Sequence, residues 1–85
     1  MTVTDISVYN NLRNAMLKKQ DPEELIKFMR RHKLNVPGSY AMAEVTLHKT
    51  ITSVNSLPMD LRVKSKKWLL ERGYTPLDDG DIKVD

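Results

Sequence analysis

The side chains able to carry out acid–base or metal chemistry are few and scattered. The chain has two histidines, His32 and His48, no cysteine, and eleven Asp/Glu spread over 85 residues. General acid–base catalysis and metal binding both need such groups to converge. His32 falls on an apolar stripe, where a hydrogen-bonded core histidine is the expected role. Glu44 and His48 stand one helical turn apart, a commonplace pair of polar neighbours. The run "DDGD" at 78–81 has the oxygen donors of a calcium loop but lacks the alternating spacing and the closing glutamate, so it reads as a turn. There is no glycine-rich phosphate loop, and without cysteine no disulfide, thiol nucleophile or Cys-based zinc site can form. The expectation is a protein that is not an enzyme and uses no cofactor, no metal and no small-molecule substrate.

Positive charge is the richer signal. The stretch "LRVKSKKWLLERGY" (residues 61–74) sets five basic side chains around the chain's single tryptophan. Residues 1–76 hold thirteen Lys/Arg against seven Asp/Glu, whereas residues 77–85 hold four Asp against one Lys. A basic body favours anionic partners of any kind. These totals divide the chain into one helical domain, 1–76, and an acidic C-terminal tail, 77–85, which either screens the basic body or is a solvated end, the second being the expectation. Eighty-five residues leave no room for a second core. The first residues lack the basic and apolar regions of a signal peptide, and no apolar run approaches the roughly 18 residues of a membrane span. The sequence is therefore expected to be cytoplasmic, with no membrane partner.

Four helices are expected to position these groups. In the first, Ile6, Tyr9, Leu12 and Met16 recur at three- and four-residue steps, after Thr4 or Asp5 as cap. The second opens on Asp21 as N-cap with Pro22 at the first helical position, and turns Leu25, Phe28, Met29 and His32 inward. "NVPG" breaks the chain. Residues 39–54 are rich in β-branched side chains, which favours an extended strand. Helical spacing of Tyr40, Ala43, Leu47, Ile51 and Val54 describes them better, and no second strand is present to pair with one. The fourth helix runs from Pro58 to Arg72 and stops at Gly73. The fold expected is all-α, a small compact four-helix domain with short loops.

At about 100° per residue, the fourth helix has two apolar stripes. Leu57, Leu61, Ser65, Trp68 and Leu69 share one face, with Trp68 expected in the core. Met59, Val63 and Leu70 share nearly the opposite face, flanked by Arg62 and Lys66. Such a helix either runs through the middle of the bundle or exposes one stripe to a partner. The function expected is that of a small interaction or regulatory protein. It docks Met59, Val63 and Leu70, rimmed by Arg62 and Lys66, onto a protein partner or a second copy of itself. The alternative partner is nucleic acid, bound by Lys27, Arg30, Arg31, Lys49, Lys64 and Lys67. The second and third helices resemble a helix-turn-helix in outline only. The reading face would be Thr46, His48, Lys49, Thr50 and Ser53, which is polar but weakly basic.

Overall fold

The computed structural model describes residues 3–84, with side chains from residue 5 onward. Its helices are α1 (Val3–Lys18), α2 (Pro22–Arg31), α3 (Tyr40–Ser53) and α4 (Met59–Glu71). There is no strand among the described residues, so the domain is all-α and residues 40–53 are helical. No helix among them is long and apolar enough to cross a membrane.

Local signals set the helix ends. The Asp21 carboxylate accepts the Glu23 N–H at 2.9 Å, with Pro22 next in line and Glu23 and Glu24 in the first turn. After the Pro37–Gly38 break, the Ser39 hydroxyl accepts the Met42 N–H at 3.2 Å and caps α3. Gly73 ends α4 in the left-handed region, φ +79°. Its N–H bonds to the Leu70 carbonyl and the Tyr74 N–H to that of Leu69, the paired closure that only an αL residue allows cheaply.

The core lies where α3 runs between α2 and α4. Leu47, Ile51 and Val54 of the α3 stripe pack with Leu25 and Phe28 of α2 and Leu57 and Leu61 of the α4 end. Tyr40, at the start of the expected α3 stripe, is exposed. The central helix is thus α3, and α4 lies at an edge of the bundle.

The expected stripe of α1 is half correct. Tyr9 packs on Phe28 and His32, and Met16 is buried, but Ile6 and Leu12 are exposed and Leu17 is fully buried instead. For Ile6 the reason is length; Leu12, between Tyr9 and Met16, lies alongside α2 but at the outer edge of the contact. Ten residues of α2 span about 15 Å, against about 24 Å for the sixteen of α1. With Tyr9 already opposite His32 at the end of α2, the first turns of α1 overhang it. α1 begins at Val3, so Asp5 sits inside its first turn; the Thr4 side chain lies outside the described ones.

Residues 77–84 form no helix, yet they are not a solvated end. The Leu77 N–H donates to Thr52 Oγ1 at 2.9 Å, fixing the segment against α3. The Asp78 carboxylate then accepts the N–H groups of Gly80 and Ile82, at 3.1 and 3.3 Å, closing a turn through Gly80 at φ +84°. This turn delivers Ile82 into the domain, where it is only 2 % exposed. Ile82→Ala should lower stability by about 2 kcal/mol, the lower end for a buried isoleucine because the site is near a chain end. In a domain of this size that corresponds to roughly 8–16 °C in thermal midpoint. Leu77→Ala, at an exposed position, should shift the same melt by no more than about 0.5 kcal/mol.

Candidate functional site

Arg62 and Lys66 are where the structure departs furthest from expectation. Both were to rim an open docking face. Arg62 is instead 1 % exposed. Its Nη1 donates to Asp81 Oδ2 at 2.6 Å, and its Nη2 donates to the Thr52 carbonyl at 2.8 Å and to Asn55 Oδ1 at 3.2 Å. Lys66 Nζ donates to Asp78 Oδ2 at 2.9 Å and to the Ile82 carbonyl at 2.8 Å. A guanidinium buried at a helix flank has a large desolvation cost, and a carboxylate and a carbonyl offset it. The acidic segment supplies that carboxylate, so it covers this flank of α4.

The rest of the expected face remains open. Met59 is 48 % and Leu70 50 % exposed, while Val63 between them is half-buried. Leu70 lies in a shallow cleft with Lys67, Glu71 and Val84, so the returning segment extends the apolar surface rather than hiding it. On the opposite side of the helix, Leu61, Ser65 and Leu69 are buried against α3 as expected.

Trp68 is half-buried rather than core. The His48 ring stacks on it at 4.2 Å between centroids, the Arg72 guanidinium lies 4.2 Å from its ring centroid, and the exposed Tyr74 ring runs nearly parallel at 6.4 Å. Cation–π contact and stacking thus join Trp68 to the exposed end of α4.

Below it lies a pair that the spacing of the sequence did not reveal: His48 Nδ1 is 2.9 Å from Ser65 Oγ. A serine beside a histidine has the outline of an activated nucleophile. Here Ser65 is fully buried, and among the described residues no carboxylate is bonded to His48, so the bond joins α3 to α4 instead. Burial, and then the positive charges of Arg72 and Lys64, push the His48 pKa down to about 4, so the ring is neutral at pH 7. His32, the other histidine, meets Phe28 at 4.3 Å between centroids in an aromatic cluster with Tyr9. Its Nε2 is buried without a hydrogen bond, unlike the bonded core histidine expected.

The basic residues assigned to nucleic acid do not converge. Lys27, Arg30 and Arg31 are exposed on α2, and Lys64 and Lys67 on α4, with α3 between the two helices and Lys49 half-buried on it. The face that a helix-turn-helix would present is partly covered. His48 is buried, and Thr46 and Thr50 are half-buried, with the Thr50 hydroxyl bonded to the Thr46 carbonyl. No protein-family model, curated protein or solved structure matches this chain.

The titrating groups set a pH dependence whose sign is fixed. His48 has a lower pKa folded, about 4, than its ordinary 6.5, so between those values the unfolded chain binds the extra proton and stability falls as pH falls. Asp78, bonded by Lys66, and Asp81, bonded by Arg62, are both held below the ordinary carboxylate value. Their contribution is present above that value and is lost on further acidification through their folded pKa values. Chemical denaturation from pH 7 down to 4 should therefore show stability dropping by up to about 3 kcal/mol. His48→Gln should flatten that slope and leave the steeper loss at lower pH intact.

Proposed function

We propose that this protein is a small, non-enzymatic helical interaction protein that docks onto a protein partner through apolar helix surface flanked by Lys. The observation that carries this reading is the open face of α4. Met59 and Leu70 are half-exposed on the side away from α3, and Val84 adjoins Leu70. Exposed apolar side chains gathered on one face, with polar residues around them, are what transient interfaces look like. The charged rim consists of Lys67 and the part of Lys66 left exposed, because Arg62 is enclosed. The scattered acid and base groups, with the one histidine–serine pair shut inside the domain, favour binding over catalysis.

Nucleic acid is a second reading, supported by one arrangement. Trp68, Arg72 and Tyr74 stack at the end of α4 beside the exposed Lys64, which combines π-faces with positive charge. Binding by this route would fall steeply with salt as counterions are released. Titration of a labelled single-stranded oligonucleotide at two salt concentrations separates the readings. Weak binding that vanishes near physiological salt is the outcome expected, since Trp68 is already stacked on His48 within the chain.

Adjacent leucines test the docking face. Leu69 is 0 % and Leu70 50 % exposed. Leu69→Asp places a carboxylate in the core and should cost more than about 4 kcal/mol, enough to unfold most of the protein. Leu70→Asp should stay within about 1 kcal/mol of the parent in thermal melts. It should also abolish the adducts formed by a photo-crosslinking side chain placed at Lys67 in cells. Equal destabilisation by both substitutions, or adducts unchanged by Leu70→Asp, would overturn the reading.

A further inference from the structure

We infer that the groove between α1 and α2 is a docking site for an acidic amphipathic helix of another protein. This surface is separate from the α4 face and does not depend on it. Its floor is Leu12, Ala15, Met16 and Phe28, and its volume is about 180 Å³. That is below the roughly 300 Å³ at which small-molecule pockets begin, and it suits one or two aliphatic side chains. Leu12 is 47 % exposed although it lies beside the buried Met16 and Phe28, so the apolar floor continues outward to solvent. Ala15 has no bulk to hold an approaching backbone away.

The walls specify the charge of the occupant. Lys27 and Arg31 stand one turn apart on α2, exposed, and neither forms an ion pair among the described residues. Lys19 closes the far end, 3.8 Å from Glu24, the one carboxylate in the lining. The rim is therefore positive over an apolar floor. A phosphate backbone would satisfy the rim and leave the floor wet. A helix with an aliphatic stripe between carboxylates satisfies both, by the helix-in-groove mode.

Two other occupants fit less well. In a two-fold contact between copies the same patch meets itself, which would set Lys27 and Arg31 against their own like charges. The chain's own acidic segment is tied to Arg62 and Lys66 on α4.

The test uses a labelled synthetic helix of about fourteen residues, four turns, with a leucine stripe flanked by glutamates. Two companions carry lysine for each glutamate, or serine for each leucine. Anisotropy gives affinity, and amide shifts of the full-length protein give location. The acidic peptide is expected to shift the amides of Leu12, Ala15 and Phe28 and to bind roughly tenfold or more tightly than either companion. Lys27→Glu with Arg31→Glu should weaken it by roughly the same factor, with the thermal melt lowered by only a few degrees, because both side chains are exposed and only helix-end and i,i+4 charge effects are lost. Leu12→Asp should abolish binding; if it also lowers the melt, the double charge reversal decides. The inference is overturned by equal affinity for acidic and basic peptides, by no binding at millimolar peptide, by shifts confined to α4, or by duplex DNA shifting the same amides as strongly as the acidic peptide. Failure here leaves the α4 reading standing, since that face is tested at Leu70.

Discussion

A single buried charge organises one whole side of this domain. Arg62 projects from α4 into a place with 1 % exposure, where an unpaired guanidinium would not be tolerated. Four hydrogen bonds from its two terminal nitrogens answer that demand: one to the end of α3, one to the following loop, and two to Asp81. Because Asp81 comes from the C-terminal segment, satisfying Arg62 fixes the path of residues 77–84. The path in turn buries Ile82 and brings the Ile82 carbonyl to Lys66. Among the described residues the Nε of Arg62 has no partner, so the network there is incomplete. Asp81 keeps its carboxylate 40 % exposed, which limits its desolvation cost but lets water weaken the pair. Removing either partner would leave the other in a poor environment, whereas well-packed apolar replacements of the whole network need not destabilise.

This network explains which parts of the structure could be read from the sequence and which could not. Capping and periodicity are local, and they located α2, α3 and the buried side of α4. Asp21, the Leu47–Ile51–Val54 spacing and Gly73 each act within a turn or two of themselves. The α1 stripe was legible only as an amphipathic pattern. Which of its turns would be covered depended on the length of α2, a fact about another element. The packing of the C-terminal segment was not legible. Alternating Asp and small or apolar residues around Gly80 have no helical or strand period, and composition left only a choice between a screen for the basic body and a solvated end, with the second expected. Asp81 meets Arg62 across 19 positions, and His48 meets Ser65 across 17. A sequence gives charges and polar groups their identity but not their partners.

The same separation applies to function. The sequence placed Met59, Val63 and Leu70 on one face, and Met59 and Leu70 are indeed exposed. It could not foresee that both residues of the supposed charged rim, Arg62 and Lys66, would be paired within the chain. Nor could it foresee that the basic residues of α2 would border a groove, since a groove needs two helices at a known distance. In the sequence Lys27 and Arg31 were candidates for phosphate contacts; only the structure sets Leu12 and Ala15 of α1 opposite them.

The acidic segment and the two open surfaces follow from one charge imbalance. A body with nearly twice as many basic as acidic side chains repels itself and loses stability as a compact state. Residues 77–84 relieve this on α4 by bringing Asp78 and Asp81 to Lys66 and Arg62. On α2, Lys27, Arg30 and Arg31 follow one another over little more than a turn and form no ion pair among the described residues. An acidic partner in the α1–α2 groove would do there what the C-terminal segment already does on α4: neutralise basic side chains while covering apolar ones. Such a partner would also stabilise the fold, because binding to the native state alone raises stability in proportion to the logarithm of ligand concentration over Kd. The largest effect would be on α1, where Leu12 in the groove is half in water and the overhanging turns leave Ile6 and Val8 exposed.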